Sequence, residues 1–191
     1  FSPNRDGNRD TVTFDSSSSD EELWVGTIRA VDGRSVRKIY WSGKTSSYVW
    51  DGTDEAGNLV PDGEYYLEIV TEDAAGNSAS ARTETVKLDT RLTSIFVSAD
   101  RERFSPNGDG VDDTVTLNLS TSVRDGVASW RVEIRTTSGV LIRSYSGTRI
   151  PERIIWDGRD FRNRIREDTF IAEYSVRYRK GDIPTVVSGP F

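Results

Sequence analysis

One phrase occurs twice in this chain. Phe1-Ser2-Pro3-Asn4-Arg5-Asp6-Gly7-Asn8-Arg9-Asp10-Thr11-Val12 returns 103 residues later as Phe104-Ser105-Pro106-Asn107-Gly108-Asp109-Gly110-Val111-Asp112-Asp113-Thr114-Val115. Trp50-Asp51-Gly52 returns 106 residues on as Trp156-Asp157-Gly158, and Trp24 and Trp130 stand the same distance apart. Landmarks in one order at nearly one spacing mean a duplicated unit of about 105 residues, which is the length of a domain and too long for a solenoid repeat. The expected organisation is therefore residues 1–90 and 91–191. The segment Ile95-Phe96-Val97 ahead of Phe104 has no counterpart ahead of Phe1. The first unit is expected to lack its first strand, as a piece of a longer array would.

Within each unit the apolar residues repeat every second position. Trp130, Val132 and Ile134 alternate with Arg131, Glu133 and Arg135; Phe170, Ala172, Tyr174, Val176 and Tyr178 do the same, as do Val115, Leu117 and Leu119. Tyr65, Leu67 and Ile69 repeat the pattern in the first unit. Alternation of this kind marks half-buried antiparallel strands. Asp32-Gly33, Asp51-Gly52, Gly57-Asn58, Pro61-Asp62-Gly63, Gly76-Asn77, Asp125-Gly126 and Ser138-Gly139 punctuate them as turns. The chain is read as all-β, two tandem Ig-like antiparallel β-sandwich domains, with no helix. Trp50 and Trp156 are expected to plug the two cores.

Composition narrows the chemistry. The chain has no Cys, no His and no Met, which removes disulfides, thiol catalysis and the commonest general base and metal ligand. The absence of an initial Met fits an excised piece. No apolar run reaches membrane-spanning length. Residues 1–90 carry 17 acidic and 9 basic side chains, and residues 91–191 carry 14 and 16. This acidic balance argues against nucleic acid. Arg159, Arg162, Arg164 and Arg166 are the one basic cluster, read as a solvated loop or a binding patch.

Two motifs invite a functional reading. Asn4, Asp6, Asn8 and Asp10, and likewise Asn107, Asp109, Val111 and Asp113, occupy the odd positions of a Gly-containing loop. Ca²⁺ takes six to eight oxygen ligands, and alternate side chains plus a carbonyl at position 5 (Asn8, Val111) could share one ion. The same residues also build hydrogen-bonded turns without any metal. Both readings stand. The second motif runs from Trp50-Asp51-Gly52 through Gly57-Asn58 to Pro61-Asp62-Gly63-Glu64-Tyr65. Gly57 is expected in a left-handed conformation, with Asn163 in its place in the second unit.

The Asn-x-Asp-Gly loop resembles the front half of EF-hand-like loops such as those of dockerin and thrombospondin type 3 repeats. The Trp-Asp-Gly stretch resembles the Ig-like domain of the bacterial flagellar hook-capping protein. The Phe-Ser-Pro-Asn phrase resembles that of gliding-motility-type C-terminal domains and of large bacterial surface-protein repeats. Glu72-Asp73-Ala74-Ala75-Gly76-Asn77 is similar to a turn of bacterial Ig-like adhesin repeats. The resemblance implies an Ig-like fold and an extracytoplasmic place (periplasm, cell surface or secreted), and it transfers no catalytic residue.

The leading functional reading is a non-catalytic module of a larger bacterial envelope or surface protein. It would serve as spacer, stalk or interaction and assembly platform, with calcium as a stabiliser if the loops bind it. Its partners would be other domains of the same parent, or a protein. The competing reading is recognition of carbohydrate or peptide by Tyr40, Trp41 and Tyr48, since adjacent strand residues cannot all face one core; Ser144-Tyr145-Ser146 stands at the equivalent place in the second unit. The bland counterpart is that one of the aromatics simply covers apolar surface. Carboxylate pairs such as Asp51 with Asp54, or Asp20-Glu21-Glu22, lack any feature that would separate their pKa values for acid–base work.

Overall fold

Strict alternation produces long strands, and the Asp- and Gly-containing segments between them turn the chain. The computed structural model describes residues 1–73 and 75–191. Fourteen strands and no helix are present among them. The chain divides into two units, Phe1–Thr90 and Arg91–Phe191.

Unit 1 holds β1 (Val12–Phe14), β2 (Glu21–Ala30), β3 (Ser35–Gly43), β4 (Tyr48–Trp50), β5 (Gly63–Glu72), β6 (Ser78–Arg82) and β7 (Val86–Leu88). β1 pairs with β4 in a small sheet. The larger sheet runs β3-β2-β5-β6, with β7 also on β5. Unit 2 holds β8 (Ile95–Ala99), β9 (Val115–Thr121), β10 (Val127–Thr136), β11 (Leu141–Gly147), β12 (Arg153–Trp156), β13 (Phe170–Tyr178) and β14 (Thr185–Val187). Its sheets run β12-β9-β8 and β11-β10-β13-β14, and all pairings in both units are antiparallel.

The two units share their registers. Val12 faces Trp50 as Val115 faces Trp156. Ala30 faces Tyr65 as Thr136 faces Phe170. Even a ladder defect is reproduced: Leu67 N–H donates to the Thr83 hydroxyl, and Ala172 N–H to the Ser188 hydroxyl. A side-chain oxygen there replaces a backbone acceptor where the neighbouring strand leaves the ladder.

Each unit has its own core. Phe14, Trp24, Ile28, Trp50, Tyr65, Leu67 and Leu88 fill unit 1. Val115, Leu117, Val132, Ile134, Trp156, Phe170 and Tyr174 are among those filling unit 2. The inward positions of one sheet meet those of the other, which is why period-2 alternation suffices to specify the layers. Trp50 and Trp156 are the largest fully enclosed side chains, at 0 % and 1 % exposure. Burying the indole N–H requires an acceptor. Trp50 Nε1 donates to the Thr53 carbonyl at 2.8 Å and Trp156 Nε1 to that of Arg159 at 2.9 Å.

Candidate functional site

The two repeated phrases form a single structure at one end of each unit. Phe1 packs on Trp50 with ring centroids 5.5 Å apart, and Phe104 on Trp156 at the same 5.5 Å. Tyr65 meets Trp50 edge-on in unit 1. Phe170 and Phe191 do so for Trp156 in unit 2. Gly52 and Gly158 make the contact possible. A Cβ on Gly52 would lie 2.9 Å from Leu88 Cδ1 and 3.0 Å from Pro3 Cγ; one on Gly158 would lie 2.9 Å from Pro106 Cγ. Both glycines have φ near +80° (80° and 75°), so the position requires glycine on two counts.

After Pro3 and Pro106 the backbone alternates in hand. Arg5, Gly7 and Arg9 have positive φ, as do Gly108, Gly110 and Asp112. Alternation of this sort turns N–H groups inward and makes a concave nest suited to an anion. The anion is supplied by the chain. Asp10 accepts from Arg5 N–H at 2.7 Å and Gly7 N–H at 2.8 Å; Asp113 accepts from Gly108 N–H at 2.6 Å and Gly110 N–H at 2.8 Å. Asn4 and Asn107 accept from Asp6 and Asp109 N–H, whose carboxylates accept from Asn8 and Val111 N–H. Asn4 and Asn107 also donate their amides to the Asp6 and Asp109 carboxylates.

The structure thus brings Asn4, Asp6 and Asp10, and Asn107, Asp109 and Asp113, into one network in each unit. Asn8 and Val111 enter it through N–H, where a Ca²⁺ cage would use their carbonyls. What converges is N–H groups on carboxylate oxygens. Among the described residues no group of three or more acidic side chains is placed to hold a metal. These hydrogen bonds are those that the turn reading expects of the two loops.

The Trp-Asp-Gly segment continues into a second kind of cap. Asp54 accepts from Ala56 and Asn58 N–H, both at 2.9 Å, while Gly57 takes φ 82°. Asp160 does the same for Arg162 and Arg164, with Asn163 at φ 61°. The left-handed residue expected at Gly57, and Asn as its substitute, are both found. Asp73 repeats the cap with Ala75 and Asn77 N–H around Gly76. Ala74 of the adhesin-like turn lies outside the described residues.

These bonds fix the charge state. The Thr53 hydroxyl holds the Asp51 carboxyl below its ordinary value, as the Asn58 N–H does for Asp54 and the Asn107 amide for Asp109. The Arg164 N–H, with its guanidinium, brings Asp160 down to about 2. Carboxylates held low and ionised are anchors for turns and poor proton donors near neutral pH. Two of the clustered arginines serve the same loop: Arg159 bonds the Asn163 carbonyl, and Arg164 pairs with Asp160 at 3.0 Å.

Tyr40 is 62 % exposed, but Trp41 and Tyr48 are partly buried against the core of unit 1. Trp41 lies over Gly26, where a Cβ would come within 2.5 Å of its Cζ3. The signal was a glycine inside strand β2, which marks close approach by another group. Register also places Gly147, not Ser144–Ser146, opposite Trp130 where Trp41 stands opposite Trp24.

Residues 3–75 match the family model of the FlgD Ig-like domain. Among solved structures, a tetra-tandem repeat from the extending region of a large adhesion protein is similar at 15 % identity and TM-score 0.37, over 97 % of this chain and 46 % of that one. The chain therefore spans about half the length of that protein. FlgD from Xanthomonas campestris is similar at 22 % identity and TM-score 0.30, over 60 % of this chain and 82 % of that one. A two-domain fibronectin type III segment of chicken tenascin is similar at 14 % and 0.34, over 93 % and 90 %. No curated protein matches the chain.

Proposed function

We propose that this pair of Ig-like β domains is a non-catalytic module of a larger bacterial envelope or surface protein, acting outside the cytoplasm as a spacer or stalk and as a platform for protein contacts. The observation that supports it is the end structure built twice, in which the aromatic plug, the tight glycine contact and the occupied N–H nest all serve to fix turns. The FlgD-type match over residues 3–75 supports the extracytoplasmic setting. Asp54, Asp73 and Asp160 cap turns, and Trp41 and Tyr48 pack partly against the core while Tyr40 is exposed, which favours the spacer reading over carbohydrate or peptide recognition by these three aromatics.

Stretching single molecules between their termini tests the reading. A spacer made of two separately cored units unfolds in two abrupt steps, each releasing roughly 300 Å of chain at 3.3–3.6 Å per residue. One common step, or smooth extension at low force without steps, would contradict it.

A further inference from the structure

One edge of the large sheet is guarded in unit 1 and bare in unit 2. β3 ends the sheet of unit 1, and its Lys38 N–H donates to the Glu55 carboxylate of the Trp-Asp-Gly loop at 3.2 Å. The lysine side chain is a second guard, since charge on an edge strand discourages pairing with another chain. β11 ends the sheet of unit 2. Arg37 faces Ile28 as Arg143 faces Ile134, so Ser144 stands where Lys38 does. The matching caps at Asp54 and Asp160 put Phe161 where Glu55 stands. Phe161 is 56 % exposed, with the Arg143 guanidinium 6.0 Å from its ring centroid, and its side chain has no acceptor to offer. Both guards are missing from β11.

The alternation of ladder bonds fixes which backbone groups β11 leaves over. Ala172 N–H donates to the Ser188 hydroxyl, and the Ala172 carbonyl accepts from Ser188 N–H, so Ala172 turns away from β10. Its alternate neighbours on the strand, Glu173 and Ser175, therefore bond to Glu133 and Arg131. Glu133 and Arg131 use their backbone groups on β13, which leaves Ser144 and Ser146, opposite them on β11, facing away from the sheet. Among the described residues nothing bonds to these two N–H and two C=O groups.

We propose that β11 pairs antiparallel with β11 of a second copy of this chain, about a two-fold axis at Tyr145. Ser144 of each copy then exchanges both bonds with Ser146 of the other, and all four groups on each edge are satisfied. The facing side chains are compatible in this register: Ser144 meets Ser146, half-buried Tyr145 meets its own copy, and Arg143 meets Gly147, so no like charges stand opposed. A two-fold contact needs a patch that complements itself. Arg143-Ser144-Tyr145-Ser146-Gly147 is such a patch, and this selects a second copy as the occupant. One strand on each side is a small interface, so the dimer is weak and concentration-dependent. The pairing names a partner for the contact platform proposed above, yet two-step unfolding of single molecules can hold where the pairing fails.

Sedimentation of the full chain over a wide range of concentration is expected to show a monomer–dimer equilibrium. Amide exchange at Ser144 and Ser146 is expected to slow several-fold at the top of that range, while Arg143 and Tyr145, already bonded to β10, stay the same. Phe161→Glu gives the loop the kind of carboxylate that closes β3, and Ser144→Lys the kind of side chain that guards it. Each is expected to abolish the dimer and the concentration dependence of exchange, with the melting temperature of unit 2 unchanged. A chain that stays monomeric throughout overturns the proposal, as does a dimer that survives either substitution. So does concentration-dependent protection at Lys38 and Tyr40 in place of Ser144 and Ser146.

Discussion

Asp10 and Asp113 each close a ring of backbone N–H groups with a single carboxylate. Removing that carboxylate leaves donors aimed at one another, and Asp10→Ala or Asp113→Ala should destabilise its unit by about 1–2 kcal/mol. The loss is expected to be the same with millimolar calcium and with chelator, read as melting temperature. A loss seen only with calcium would favour the cation reading of these loops. Asp160 offers a pH test. Its folded pKa of about 2 lies below the ordinary 3.8. A depressed carboxyl contributes stability that is complete above the unfolded value and disappears as pH falls through the folded one. Asp160→Asn keeps an oxygen for the Arg162 and Arg164 N–H groups but loses the charge. The gap in melting temperature between the two proteins should therefore close between about pH 4 and pH 2; a gap that is constant across this range would refute the assignment.

At the scale of the element, the loops rather than the strands carry most of the specification. The cap at Asp54 and the cap at Asp160 differ at their left-handed residue, Gly57 against Asn163, and keep one geometry. Nothing lies within 4 Å of a Cβ built on Gly57, so only the backbone conformation opposes a side chain there. Gly57→Asn should leave stability nearly unchanged, while Gly57→Val should cost about 1–2 kcal/mol, because a branched side chain is disfavoured at positive φ. Chemical denaturation of the two variants checks the order. The strand pair β2–β3 shows the complementary device, a large residue over a missing Cβ. Gly26→Val should expel Trp41 and expose its indole, seen as a red shift of fluorescence.

For the whole molecule, two cores imply two separate liabilities. Trp50 and Trp156 each fill one core and hydrogen-bond its end turn. Truncating either to Ala should cost about 3–5 kcal/mol, a large part of a small domain's stability. Calorimetry of Trp50→Ala should lower one transition and leave the other, and Trp156→Ala the reverse. A parallel fall of both transitions with either change would mean the cores are not separate.

The alternation in Trp130–Arg135 and Phe170–Tyr178, the turn residues and the doubled phrases determined from sequence the strands, the all-β class and the buried tryptophans, because side-chain periodicity and left-handed backbone are local properties. The seat of Trp41 on Gly26 and the docking of Phe1 and Pro3 onto Trp50 and Gly52 join residues tens of positions apart. The polarity of the Asn4–Asp10 loop was also beyond reach, since the same residues can turn carbonyls inward to a cation or N–H groups inward to a carboxylate. Which happens depends on the handedness of each peptide, and the packing of the folded unit decides it.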